Sequence, residues 1–283
     1  MDRRSRNTMP CYREAPFVRY DGVRVHYEVT GDGGVPLVLL HGLGMTNYTW
    51  ARNTEALARS RRVIAVEHMA MGDRTGLYRH GYSVANLAGA VVAVLDHLKI
   101  ERADVCGVSL GGTLALFMGV QHPSRVRRLV AIDPAAYPCR WPWGLALAKV
   151  PLLGEIGTLL LPAWAFGRAI VMNCFRDPRT ATSEFARQFG QVYRSFPGRI
   201  AVLKTTRALP PFGFDEIVEG YRHVDAPTLI IWGEHDPLIP RLVVTRLASD
   251  LPNARLEIIR DAAHGPHMEF PQIINPMIHD WLS

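Results

Sequence analysis

Short, nearly continuous apolar runs punctuate the chain at residues 36–40, 63–66, 103–108, 129–132, 228–232 and 256–259. A strand covered on both faces needs apolar side chains at successive positions, so runs of this kind predict the buried strands of a parallel sheet. Between several of them the hydrophobic positions recur at helical spacing. Ser83 supplies an N-cap for a helix over 84–98, and further helices are predicted over 110–121, 241–251 and 271–281. Ahead of this rhythm, residues 17–20 and 23–29 alternate apolar and polar around Asp21-Gly22, a dipeptide favoured in two-residue hairpin turns. The fold class that follows is α/β, a mostly parallel twisted sheet with an N-terminal antiparallel hairpin.

The rhythm breaks between Ile132 and Thr228, where about 95 residues stand in place of a crossover that needs a dozen or more. This stretch holds Trp141, Trp143, Trp164, Phe166 and many prolines, with helical spacing and no convincing strand. Residues 134–225 therefore read as a helical cap that cannot fold away from the sheet, and residues 1–133 with 226–283 as the core. A chain of 283 residues is long for one average domain of roughly 150, but one α/β core with an insertion accounts for it.

Composition removes several classes. With 48% hydrophobic and 20% charged residues the chain is an ordinary globular mixture, which excludes disorder, collagen and coiled coil. The net charge of +6 is arginine spread along the chain, whereas a nucleic-acid binder concentrates its cations, so no nucleic-acid partner is expected. The one dense run, Arg3-Arg4-Ser5-Arg6, reads as a solvated tail. Cys11, Cys106, Cys139 and Cys174 show no metal-like spacing, and no apolar stretch follows the first arginines as in a signal peptide, so reduced thiols and a cytoplasmic location are expected. The longest uncharged apolar piece, 156–167, is bracketed by Glu155 and Arg168 and broken by Pro162. It is too short for the ~20 residues of a span, so no stable membrane insertion is expected, although it can touch lipid.

Gly107-Val108-Ser109-Leu110-Gly111 follows a predicted strand and opens a predicted helix. In that setting G-x-S-x-G makes a nucleophile elbow: the glycines allow backbone to pass close to backbone, and the serine hydroxyl is thrust up at the helix start. From these residues the chain resembles the α/β-hydrolase family, and the resemblance runs from the hairpin near Phe17 to the final helix. His41-Gly42-Leu43-Gly44 stands where that family places an oxyanion-binding loop; the resemblance assigns the two backbone N–H donors to Leu43 and Leu110, with His41 as a loop anchor. Gly233-Glu234-His235-Asp236 follows a strand, so Asp236 can face the same rim as Ser109, and its Gly-x-x-Asp-Pro pattern matches the commoner family arrangement. Asp133, directly after the strand ending at Ile132, is the rival acid. His264, in a loop of small residues after the last strand, completes the chain order Ser109, Asp236, His264 of this fold. His267 and Glu269 read as loop-fixing.

Such a set activates the serine through His264, oriented by Asp236, and implies neither metal nor cofactor. A serine in place of aspartate at position 109 disfavours carboxylate-nucleophile relatives such as haloalkane dehalogenases and epoxide hydrolases. The segment after the 63–66 strand departs from the family's Asp-x-x-Gly-x-Gly pattern, with Glu67 and His68 at its start and only the second glycine, Gly72, retained. The expected partner is a small-molecule carboxylic ester with a small to medium apolar acyl group, walled by Trp141, Trp143 and Trp164. C–C hydrolysis of ring-cleavage diketones is the second enzyme reading; against it stand Val108, where those enzymes usually carry Asn, and Gly265, where they usually carry Trp. Lactonase or perhydrolase activity shares the triad, and a slow-turnover ligand receptor is the non-enzyme alternative.

Overall fold

The apolar runs become one sheet. The computed structural model describes residues 15–69, 77–138, 143–209 and 215–283. Its strands are β1 (Phe17–Tyr20), β2 (Val23–Thr30), β3 (Leu37–Leu40), β4 (Val63–Val66), β5 (Ala103–Val108), β6 (Val126–Ile132), β7 (Thr228–Gly233) and β8 (Ala254–Ile259). They lie in the order β1-β2-β4-β3-β5-β6-β7-β8; β2 pairs antiparallel with β1 and β4, and every other pairing is parallel. Asp21 and Gly22 both take positive φ, 48° and 85°, as the predicted hairpin turn requires.

Side chains of a strand alternate between faces, and here both faces are covered. Val38, Leu40, Ile64, Val66, Val105 and Ile230 enter one apolar cluster. Their neighbours Leu37, Leu39, Val63, Ala65, Cys106 and Ile231 enter another. Helices α1 (Thr54–Leu57), α2 (Val84–His97) and α3 (Leu110–Gln121) precede β6. Between β6 and β7 come α4 (Trp143–Lys149), α5 (Leu153–Leu160), α6 (Ala163–Cys174), α7 (Ser183–Gln191), α8 (Phe196–Ala208) and α9 (Asp215–Gly220), with no strand among the described residues. After β7 come α10 (Arg241–Asp250), α11 (Pro266–Glu269) and α12 (Pro271–Leu282). Leu87, Leu114 and Val244 bring α2, α3 and α10 onto the first face, and Ile274 and Ile278 bring α12 onto the second.

Strand β6 starts at Val126 rather than at Leu129, because Arg127 and Arg128 are spent on tertiary bonds and carry no apolar signal. Arg127 meets the carboxylate of Asp104 on β5 at 2.8 and 2.7 Å, and Arg61 reaches the same buried carboxylate at 3.1 Å. Arg128 binds the backbone carbonyls of Trp281 and Ser283 at the C-terminal end. Truncating one partner of a buried ion cluster leaves the others uncompensated, so Asp104→Ala should lower the unfolding free energy by about 3–5 kcal/mol. Urea unfolding followed by circular dichroism reads this, and a loss below about 1 kcal/mol would show that the cluster holds nothing together.

Candidate active site

The turn after β5 carries the site's first group. Ser109 sits at φ 55°, ψ −118°, a conformation that costs a non-glycine residue of order 1–3 kcal/mol unless its surroundings enforce it. The surroundings do enforce it. Ser109 N–H donates to the Ile132 carbonyl at 2.8 Å, and its own carbonyl accepts from Thr113 N–H at 3.0 Å. A Cβ on Gly107 would stand 2.0 Å from the Gly111 carbonyl oxygen, and one on Gly111 would stand 2.2 Å from that of Leu40, so no side chain fits at either position.

Leu110 is the first residue of α3, and the first N–H groups of a helix have no intrahelical acceptor. A Cβ on Gly42 would lie 3.4 Å from the Ser109 Cβ, so the loop after β3 passes the serine at van der Waals distance. His41 is wholly buried under that loop. Its Nδ1–H donates to the Gly42 carbonyl at 2.9 Å, its ring stacks on His68 at 4.1 Å, and burial pulls its pKa down to about 4. It is a neutral anchor. Glu67 accepts the Asn47 N–H at 2.7 Å and lies 3.5 Å from His41 Nε2, so the departing segment begins by bracing this loop. Residues 70–76, with Gly72, lie outside the described residues.

At the ends of β6, β7 and β8 two carboxyl groups and one imidazole converge, with ligand-type atoms all within 4.8 Å of one another. Asp236 accepts from Leu238 and Ile239 N–H through one oxygen, at 2.7 and 3.0 Å. Its other oxygen accepts from His264 Nδ1–H at 2.7 Å. Asp133 is turned differently: one oxygen accepts the Gly233 N–H at 2.9 Å, and the other is buried without a donor. Burial first, and the Asp236 charge second, raise the Asp133 pKa well above the usual carboxylate range, which favours its neutral form. For His264 burial opposes the charged form, but the charge and hydrogen bond of Asp236, aided by Asp133, outweigh it and raise the pKa. These donors are committed to one another, and a metal ion would have to break the 2.7 Å bond.

The inserted helices reach this rim through the end of α6. His264 N–H donates to the Asn173 carbonyl at 3.2 Å. A Cβ on Gly265 would stand 2.9 Å from the Cys174 carbonyl and 2.7 Å from Met268 Cε, leaving no room for a side chain after the histidine. Met45, Cys174, Phe175, Phe185, Phe189 and Met268 form an apolar cluster here that sequence reading did not single out, because no local motif marks it. Glu269 accepts from Ala263 and Arg176 N–H, and buried His267 meets Thr49 Oγ1 at 3.0 Å, with its pKa lowered to about 3 by burial. Both hold the loop, as expected, whereas Glu234 is exposed.

Trp164 departs from expectation. Its side chain is 69% exposed and lines an open groove with Ser183, Ala186 and Arg187, apart from the three converging groups. It therefore does not wall the site: it stands on the outward face of α6 with Arg168 and Met172, while Gly167, Val171 and Cys174 turn inward. Trp141 lies outside the described residues, and of Trp143 only its place at the start of α4 is described. Ser109 Oγ makes no hydrogen bond among the described residues; a bond from a catalytic hydroxyl to its base often closes only once substrate is bound.

Residues 35–271 match the family profile described as alpha/beta hydrolase fold. Among curated proteins the chain is 30% identical over 270 residues to a 2-hydroxy-6-oxononadienedioate/2-hydroxy-6-oxononatrienedioate hydrolase of Burkholderia vietnamiensis, covering 92% of this chain and 91% of that one. Among solved structures it resembles a meta-cleavage product hydrolase from Pseudomonas fluorescens, with TM-score 0.77, 23% identity, and 92% and 94% of the two chains covered. It also resembles an N-acyl homoserine lactone degrading enzyme, with TM-score 0.74, 28% identity, and 94% and 99% covered.

The electrostatics of the rim can be read directly. In a histidine NMR titration, with His264→Gln used for assignment, the His264 resonance should titrate above 6.5, and in Asp236→Asn its midpoint should fall, because burial is then opposed by Asp133 alone. An unchanged midpoint in Asp236→Asn would contradict the coupling.

Proposed function

Because the chain belongs to the alpha/beta hydrolase fold family, we propose that it is a serine hydrolase that cleaves carboxylic esters of small to medium apolar acyl groups through an acyl-enzyme. The observation that carries the reading is the enforced φ of Ser109 at the head of α3, on the rim where His264 is bonded to Asp236. In this reading Ser109 Oγ attacks the ester carbonyl and passes its proton to His264 Nε2, while Asp236 holds Nδ1–H and stabilises the imidazolium. The Leu43 and Leu110 N–H groups receive the oxyanion, which is where fixed donors contribute most. The imidazolium then protonates the leaving alcohol, and water, activated by the same base, releases the acid.

An apolar acyl group suits the cluster of Met45, Phe185, Phe189 and Met268. The inserted residues 134–225 act as its cap. The flanking guanidinium of Arg52 is already committed to the Met268 carbonyl and the Phe185 ring. A buried dicarboxylate would need a partner for its charge. The similarity to hydrolases of ring-cleavage products favours a second reading, hydrolysis of a C–C bond by the same groups. Gly265, with no space for a larger side chain, and the apolar Val108 weigh toward the ester.

A chromogenic ester series and a ring-cleavage diketone, assayed side by side over many turnovers, separate the readings. We expect kcat/KM to be about a hundredfold higher on the best ester, with a gain of up to about fourfold per added methylene until the pocket is full. The opposite ranking transfers the assignment to C–C hydrolysis, and a single turnover makes the chain a receptor. Ser109→Ala should abolish either reaction. Asp236→Asn should cost about a thousandfold or more in kcat, and Asp133→Asn less than about tenfold; the reverse order would make Asp133 the acid. The acid limb of kcat/KM should have its midpoint above 6.5, since His264 must be neutral to act as base and its pKa is raised.

A further inference from the structure

We propose that the outer face of the bend between α5 and α6 docks on an anionic lipid surface. Helix α5 is inverted relative to an ordinary surface helix: its buried residues are Gly154 and Thr158, while Leu153, Ile156, Leu159 and Leu160 face solvent. The exposure of Leu152 is 74%, of Leu160 77% and of Trp164 69%. Monomeric proteins seldom leave so continuous an apolar surface open without a partner.

The charges around the face identify the partner. The one acid within α5, Glu155, is neutralised by Arg207, which holds both carboxylate oxygens. Arg168 stands one turn beyond Trp164, Arg194 lines the groove beside it, and Arg199 binds the Leu161 carbonyl at 2.7 Å. None of these three forms an ion pair among the described residues. In that groove, of about 270 Å³, Arg187 is held by both carboxylate oxygens of Glu184, so Arg194 is the guanidinium left to meet a phosphate headgroup. Apolar side chains flanked by arginines without acidic partners, Arg168, Arg194 and Arg199, and by a tryptophan are the pattern of an interfacial element.

Two other occupants fit less well. A second copy related by a two-fold axis would set the same cations against one another. The arginine-rich residues 3–6 of this chain carry the wrong sign. The geometry also limits depth. Helices α5 and α6 meet at 101°, and α5 is about 12 Å long at 1.5 Å per residue, against ~30 Å of hydrocarbon. The pair therefore lies in the interface and does not cross it. The proposal is independent of which bond the site cleaves.

Flotation of the full chain with vesicles tests it, using equal parts phosphatidylcholine and phosphatidylglycerol, and phosphatidylcholine alone as the comparison. The wild type should float with the anionic vesicles, less so at high salt, and poorly with the neutral ones. Leu152→Glu/Leu160→Glu should reduce binding at least about tenfold while leaving the turnover of a water-dissolved ester unchanged. Arg168→Glu/Arg194→Glu should weaken binding to the anionic vesicles and serves alone should the leucine variant fail to fold. No flotation of the wild type, or equal flotation of the variants, overturns the proposal. So does a wild-type dimer, seen by sedimentation equilibrium, that the leucine variant splits, since a second copy would then be the occupant.

Discussion

The rest of the site depends on the close packing of backbone around Ser109. With Gly107 against the Gly111 carbonyl and Gly111 against that of Leu40, the start of α3 is pressed onto the ends of β5 and β3. Three consequences follow from one contact. The serine is forced to positive φ, the first N–H of α3 has no intrahelical acceptor, and the loop after β3 passes Ser109 at van der Waals distance through Gly42. A methyl group at either glycine would separate these parts, so the chemistry and the packing cannot be varied independently.

A second constraint is electrostatic. Two carboxyl groups and one imidazole are withdrawn from water at the ends of neighbouring strands, and they cannot all be charged there. Hydrogen bonding sorts them. Asp236, with three donors, has the anion's partners, whereas Asp133, with one bonded oxygen and one bare, is the better place for a proton. The charge and hydrogen bond of Asp236 raise the His264 pKa against the effect of burial, which in the proposed mechanism favours the imidazolium once a proton has been taken. The His264 backbone N–H is tied to the Asn173 carbonyl, so the end of α6 stands against this group of charges.

Much of this was legible in the sequence because it is local. Continuous apolar runs marked β3, β4, β5 and β7, since a strand covered on both faces has no polar side to lose. Ser83 capped α2 as read, its Oγ accepting the Asn86 N–H. G-x-S-x-G and the loops after β7 and β8 named Ser109, Asp236 and His264 because each follows a strand end. What was not legible depends on distance in space. Nothing local tells that Arg127 spends its charge on Asp104, or that Met45, Phe185 and Met268 gather from three parts of the chain. Reading apolar residues of the insertion as a pocket wall failed for Trp164 because composition does not say which face of a helix turns outward, and on α5 and α6 much of the apolar surface does.

The central claim is that Ser109 is the nucleophile and His264 its base. Stoichiometric labelling with a fluorophosphonate, followed by peptide mass spectrometry, tests it most directly, because the reagent needs an activated hydroxyl and leaves a covalent mark on it. The account predicts one label per chain, on Ser109, blocking ester turnover in proportion and forming far more slowly in a His264→Ala variant. A label on another serine, or full ester turnover with Ser109 modified, would contradict it.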